Sequence, residues 1–593
     1  MRAIRYKRGL ALANSSLPFV VFFAFLLNQF IRVLDINRCS ENTLALYGDG
    51  LGTTWSTFIM QQQPFPPWQE RTNWVSHPEG EAFWTVDWWA SLLPRLLLYF
   101  FSNLLDPICA YNFTAFLGIS FTAIMLLLFL NLVCGNRFVS LLGTCVIVFG
   151  PYMTSAIPGH ILKLFLGVIP LVLLSSFRFL QTPSKKNLSL LAASTLFASY
   201  VDAYYTAMVG LILFCLTVVL LKRYPNLRLF IRIFPVFFWT LSVLPLIIAY
   251  SAAPMEWASE FRNSNELTVY RLKFWHLLLP GPENPFLSKD TTRWMVNSLG
   301  GSNFSETGLY LTWTFLLFGL FTLFQFRIFR GSKKYLYNVQ LNSSTKSYDH
   351  VSITYTWVKF TSLLLVAFLF FSMLPRIGIG TLQLPGPARI LFELTGTFRT
   401  LSRFGIVVVI CCVVLGSISL AKFLETSQSF ILLKFKQLMI IFLVVVIELG
   451  FPIAQKLTIF EIEEVPKSYI WVSKNTPPNS VILNYLPWSI DGLHFGWGVF
   501  HQRKLINLWR ADSPKPKDGF LDISESEVTC FLQKKGVNYI LTHKSYPPIL
   551  NLDNIQGLKL VYTFEQSHDL FDLDYSGKVY HVDLAGLESS SEC

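Results

Sequence analysis

The chain has 593 residues, 52% of them hydrophobic and only 14% charged, with a mean hydropathy of +0.46. That balance excludes a soluble globular enzyme, a disordered chain and a coiled coil, and nine cysteines over this length are too sparse for a disulfide scaffold. The net charge of +12 resembles a nucleic-acid signal, but no basic stripe with interleaved aromatics occurs in a soluble stretch, so no nucleic acid is expected as a partner.

The chain opens with Arg2, Arg5, Lys7 and Arg8, then an apolar run to Ile31. The run is longer than a signal-peptide core and no small-residue cleavage site follows it, so it reads as a first span with a cytoplasmic N-terminus. Residues 34–107 form a long outer loop with Asp35, Glu41, Asp49, Glu70, Glu79, Glu81 and Asp87, and with six tryptophans at 55, 68, 74, 84, 88 and 89. Its last part, 88–105, contains Pro94 and Arg95 and reads as an amphipathic helix lying in the membrane interface.

Further apolar blocks lie near 108–134, 138–152, 161–181, 188–200, 203–221, 229–252, 308–329, 355–375, 404–422 and 437–455. Most approach the ~20 residues that cross ~30 Å of hydrocarbon, which gives about eleven spans. The block at 188–200 is short, and with its successor it also reads as a re-entrant pair. The basic residues fall on alternate loops: Arg137, then Arg178, Lys185 and Lys186, then Lys222, Arg223 and Arg228, then Arg327, Arg330, Lys333 and Lys334, then Lys422, Lys434 and Lys436. These are the cytoplasmic loops of the positive-inside rule. An odd number of spans then leaves the C-terminal tail outside.

From 456 the pattern changes. VPKSYIWVSKNTPPNSVILNYLP predicts a helix, a Pro-Pro turn and a strand. SESEVTCFLQKKGVNYILTHK predicts a capped helix, a glycine stop and a buried strand, and LKLVYTF and GKVYHVDL predict two more strands. The expected organisation is a transmembrane domain over 1–455 and a small extracytoplasmic α/β domain over 456–593.

Walker A, CxxC and HExxH motifs are absent, and the GDGLG around Asp49 has no βαβ context. Cys109, Cys134, Cys145, Cys215, Cys411 and Cys412 lie in or beside apolar blocks and read as small hydrophobes, while Cys39 and Cys530 are both outside and within the same compartment for a bond. What remains is charge at the outer face. Asp49 lies between glycines that let the backbone turn tightly, and HPEGE adds His77, Glu79 and Glu81. A carboxylate beside an acceptor hydroxyl takes its proton as general base; a second one orients the acceptor or holds a divalent cation such as Mg or Mn through oxygen. The same acids also read as a solvated loop.

Arg399 and Arg403, four apart in TFRTLSRF at the outer mouth of a span, are expected to share one helix side and suit bidentate phosphate contact. His160 and Lys163 in PGHILKL lie one turn apart at another mouth. Snorkelling to headgroups is the bland alternative for these cations. Asp202 in SYVDAYYT is either a group at membrane depth or an ordinary turn residue, and Glu306 in FSETGLYL either binds substrate or caps a span. Asn112 and Asn303 stand in glycosylation sequons at the outer side.

The chain resembles the GT-C superfamily of integral membrane glycosyltransferases, and more closely bacterial GT-C-like membrane proteins. The resemblance rests on GDG, HPEGE, PGHILKL, SETGLYL, LPGPARILFELTGTFRTLSRF and KKGVNYILTHKSYPP. It implies a polytopic α-helical membrane protein in the bacterial inner membrane. It also implies a polyprenyl-phosphate sugar donor, and transfer on the outer face to a glycan, lipid or protein acceptor. Asp49 matches the family's early catalytic Asp by position. The adjacent acidic pair of the protein mannosyltransferases is absent, because Gly50 follows Asp49, and PYMTSAIPGH lacks the carboxylate found in oligosaccharyltransferases. On this reading Asp49 is the base of an inverting transfer, with Glu79 or Glu81 positioning the acceptor. His160, Lys163, Arg399, Arg403, Asp202 and Glu306 then form the substrate site. The rival expectation is a transporter or flippase of a lipid-linked or anionic substrate, whose signs would be internal repeats and charges at mid-membrane; no repeat is found.

Overall fold

A computed structural model describes residues 22–45 (except 32), 48–62, 73–74, 77–78, 91–252 (except 226), 266–280, 294, 306, 308–331, 345–379, 382–426 (except 396–397), 431–449, 460–461, 465–485, 498–506, 525–544, 551–568 (except 566), 573–574 and 576–587. Its helical elements are α1 (Phe22–Ile31), α2 (Gly48–Gln61), α3 (Leu92–Ser102), α4 (Pro107–Cys134), α5 (Arg137–Val148), α6 (Val168–Gln181), α7 (Lys185–Ser199), α8 (Ala203–Arg223), α9 (Leu229–Ala252), α10 (Trp313–Gly331), α11 (Thr345–Met373), α12 (Gly405–Thr426) and α13 (Ile431–Glu448). Among the described residues, five helical stretches are long and apolar enough to cross a membrane: Pro107–Cys134, Ile161–Gln181, Ala203–Arg223, Thr356–Met373 and Leu401–Leu424. The other apolar helices are shorter in their described parts, so the expected count of about eleven is not reached by this measure.

Local sequence explains where these helices start. Asp106 caps α4 by accepting from Ile108 N–H at 2.8 Å, with Pro107 in the first turn, where its missing N–H costs nothing. Asn136 caps α5, Ser184 caps α7, and Asp202 caps α8 by accepting from Tyr204 N–H at 2.6 Å. The amphipathic segment expected at 88–105 is helical as α3, with Leu98 buried and Leu96 and Phe100 exposed.

The stretch that follows α1 is tied to the bundle covalently. Cys39 and Cys109 form a disulfide with Cα atoms 5.1 Å apart, and Cys530 is bonded separately. This corrects two sequence expectations: Cys39 does not pair with Cys530, and Cys109 is not a free hydrophobe. Position decides it, because the cap of α4 brings Cys109 under the turn at 39–41. Asn112, one turn further along α4, is fully buried; its side chain accepts from Leu44 N–H and donates to the Asn42 carbonyl at 2.7 Å. It is therefore a structural clamp and not an exposed glycan acceptor. Asn303 lies outside the described residues.

Short strands join parts of the chain that lie far apart in sequence or form a hairpin. β1 (Asn42–Thr43) pairs antiparallel with β4 (Phe460–Glu461), and β2 (Arg376–Ile379) with β3 (Leu382–Pro385). The tail contains α14 (Lys467–Asn475), α15 (Glu525–Lys535), and a five-stranded sheet built from β5 (Val481–Tyr485), β6 (Lys504–Leu505), β7 (Tyr539–His543), β8 (Leu558–Phe564) and β9 (Gly577–Val582). Its order is β6-β5-β7-β9-β8, parallel across β6, β5 and β7 and antiparallel across β7, β9 and β8. Gly536 ends α15 at φ +63°, a conformation that disfavours a side chain. Alternation along the strands gives the sheet two apolar faces. Leu483, Ile540 and Tyr580 pack under α15, whereas Ile482, Leu541 and Val579 belong to the same apolar cluster as the membrane helices. The tail is thus welded to the bundle by its core.

Candidate active site

Three of the spans begin at one place. The N-terminal ends of the stretches starting at Ile161, Ala203 and Leu401 carry Lys163, Asp202 and Arg403, and Glu306 meets them from a separate segment. Glu306 is the hub. Arg403 binds it bidentately, Nε donating to Oε2 at 2.8 Å and Nη2 to Oε1 at 2.5 Å. Lys163 Nζ donates to Oε2 at 3.0 Å, and His160 Nε2 lies 3.4 Å from Oε1. The Lys163 and Glu306 side chains are 2% and 7% exposed, so these charges are taken from water and must be matched within the protein.

Aromatic and hydroxyl groups hold the hub. The Arg403 guanidinium lies over the Tyr204 ring at 4.6 Å, and Lys163 over the Tyr152 ring at 5.8 Å. Thr400 N–H donates to the Tyr204 hydroxyl at 3.0 Å; the Tyr205 hydroxyl donates to the Lys163 carbonyl at 2.7 Å; Ser402 Oγ donates to the Glu306 carbonyl at 2.7 Å. Burial alone would raise the Glu306 carboxyl, but Arg403 and Lys163 hold it well below the usual carboxylate range. Burial, reinforced by Lys163 and Arg403, pushes the His160 imidazole down to about 3, so it is neutral at physiological pH. Arg403 and Lys163 face Glu306 and the nearby Asp202, and the group is close to neutral as it stands.

The GDG motif lies against the loop that leads into His160. It opens α2 instead of forming a tight turn. A Cβ on Gly50 would stand 2.3 Å from the Pro158 carbonyl oxygen and 3.3 Å from Ala45 Cα. Only glycine lets the first turn of α2 approach the 156–160 loop this closely. The backbone of Asp49 is therefore next to the segment that carries His160.

Of the sequence candidates, His160, Lys163, Arg403 and Glu306 converge directly, and Asp202 adjoins them as the cap of α8. Glu306 is the anionic centre of the group. Arg399 departs from expectation. It precedes the short 3-10 turn Leu401–Phe404 and does not share a helix side with Arg403; its side chain is 44% exposed and pairs with Glu266 at 3.2 Å. Arg389, in the PARILFELT stretch before Arg399, pairs with Glu393 on the short helix Pro387–Thr395. Glu79, Glu81 and Asp87 lie outside the described residues. Among the described residues, no group of three His, Cys, Asp or Glu side chains is arranged to hold a metal. Sequence reasoning missed Tyr152, Tyr204, Tyr205 and Ser402. The tyrosines of SYVDAYYT flank Asp202, but nothing in their spacing connects them with Arg403.

No protein-family model matches the chain, and no curated protein does. Two solved structures of the arabinofuranosyltransferase AftD from Mycobacteria are similar to it at 12% identity. One has a TM-score of 0.45 and covers 94% of this chain and 40% of AftD; the other, a mutant of the same enzyme, has a TM-score of 0.43 and covers 95% and 42%. The chain spans about two fifths of those AftD chains.

Proposed function

We propose that this chain is an inverting membrane glycosyltransferase that uses a polyprenyl-phosphate sugar at the outer face of a bacterial inner membrane. The observation that carries this reading is the convergence of Arg403, Lys163, His160 and Glu306, from sequence-distant segments, beside the first turn of α2. Ionic groups are costly at the edge of a bilayer and are retained where they serve a substrate. Three span N-termini add positive partial charge at the same place. The disulfide between Cys39 and Cys109 favours an oxidising compartment for this side.

In the proposed reaction the Asp49 carboxylate takes the proton of the acceptor hydroxyl. The acceptor oxygen attacks the anomeric carbon from the face opposite the phosphate. The bond from that carbon to the phosphate oxygen breaks, and polyprenyl phosphate leaves as an anion. Arg403 and Lys163 stabilise the leaving charge, and neutral His160 supplies a hydrogen bond. Glu306 holds the two cations in place between turnovers and is displaced from part of their hydrogen bonding by the donor phosphate. Glu79 and Glu81 orient the acceptor, and Arg399 lies at the rim. The bilayer houses the lipid tail.

The test is turnover of a panel of polyprenyl-phosphate sugars by purified protein in detergent, followed by mass spectrometry. Wild type is expected to consume one donor, and Asp49→Asn to lose at least about 10³-fold in rate while binding that donor normally. Asp49→Asn activity within about threefold of wild type overturns the assignment of the base. A wild type that neither turns over nor binds any donor favours the transporter reading.

A further inference from the structure

Two distant stretches of sequence meet at the free edge of the tail sheet. β6 pairs with β5 on one side, and its other side is taken by the first outer loop. Leu505 N–H donates to the Trp74 carbonyl at 2.9 Å, and His77 N–H donates to the Leu505 carbonyl at 3.1 Å. Both backbone groups of Leu505 are thus used by the loop, as in strand addition to a sheet edge.

The contact continues through side chains into α2. The Trp74 ring meets Phe58 edge-on at 5.2 Å and Trp55 at 6.4 Å. Trp55 is fully buried, stacks on Phe58 at 5.0 Å and faces the His501 ring at 6.3 Å. Gly498 lies so near the Trp55 ring that a Cβ would stand 3.2 Å from it. His501 stacks on Tyr469 at 5.8 Å and 7°, and the Tyr469 hydroxyl accepts from Asn484 at 2.6 Å, inside the sheet. Arg503 donates to Thr476 and to the Ser473 carbonyl and so fixes the 498–506 segment against α14. An unbroken path of packed rings therefore runs from the centre of the sheet to α2. Trp55 is six residues beyond Asp49, about 9 Å along the helix.

We infer that the tail sheet is a positioning part of the transfer site. By gripping the loop at Trp74 and His77, and α2 at Trp55, it fixes where the first turn of α2 stands against the Arg403–Lys163–His160–Glu306 cluster. Trp74 is a positioning residue that acts through α2 and touches no substrate. This rests on the transferase reading above.

The experiment compares full-length wild type, Trp74→Ala and Trp74→Phe in detergent. It measures kcat and KM for the donor that wild type turns over, together with hydrogen exchange of peptides covering α2 and the 498–506 segment. Trp74→Ala is expected to lower kcat about 10- to 100-fold, as small misplacements of a reacting group do, with donor KM within about twofold. Exchange in the first turns of α2 should quicken while α4 keeps its protection. Trp74→Phe, which retains a ring against Phe58, should recover most of kcat. Trp74→Ala with wild-type kcat overturns the inference, as does a variant that loses kcat and donor binding in step with general loss of protection. A wild type inert toward every donor overturns the transferase reading instead, and that result is read on the unmutated protein.

Discussion

Glu306→Gln removes one negative charge at nearly constant volume, at a residue only 6% exposed. Three charge-assisted contacts then change character: Arg403 Nε at 2.8 Å, Arg403 Nη2 at 2.5 Å and Lys163 Nζ at 3.0 Å. The donors stay charged, so these bonds weaken without becoming neutral ones, and the amide NH₂ now faces a donor. Breaking a buried ion pair by removing one partner costs about 3–5 kcal/mol, since the cations stay buried. Unfolding in detergent, by heat or by denaturant titration, should show this loss. A donor phosphate can replace the missing charge, so polyprenyl phosphate should stabilise Glu306→Gln more than wild type. A ligand at about 100 times its Kd contributes about 2.7 kcal/mol. Stability within about 0.5 kcal/mol of wild type would refute the buried network. A variant that is destabilised but unmoved by polyprenyl phosphate would refute the phosphate role while leaving the network intact.

Gly50→Ala should destabilise and slow transfer, although alanine favours a helix by up to about 1 kcal/mol, because the added Cβ would meet the Pro158 carbonyl at 2.3 Å. Equal or higher melting temperature in detergent would show that the loop yields freely. His501 gives a pH signature: burial, then Arg503, pushes its imidazole down to about 3, while the unfolded chain binds the proton near 6.5. Its contribution is complete above about pH 6.5 and is lost as pH falls toward 3, at about 1.4 kcal/mol per unit. His501→Phe should therefore flatten the stability profile between pH 6.5 and 5 by about 2 kcal/mol, and parallel profiles would refute a buried neutral imidazole.

Much of the fold is legible in the sequence because it is set by neighbours along the chain. Apolar length marks the blocks that became α4, α8 and α12, and Gly536 marks a helix end. The amphipathic α3 and the tail strands follow from periodicity in the same way. His160 and Lys163 were recognisable as a pair because one turn separates them. Their partners were not, since Glu306 is 143 residues from Lys163 and 97 from Arg403.

Only the tertiary structure chose among partners that the sequence leaves equal. It gave Cys39 to Cys109, turned Asn112 inward, sent Arg399 to Glu266 and joined Arg403 to Glu306. It also laid Trp74 along Leu505, which joins the edge of the tail sheet to the chain that follows α2. The physical reason is one of range. Hydrophobic periodicity and capping act over a few residues and are written locally. A salt bridge, a disulfide or a sheet edge depends on which chain ends the packing of the spans brings within a few ångströms of each other.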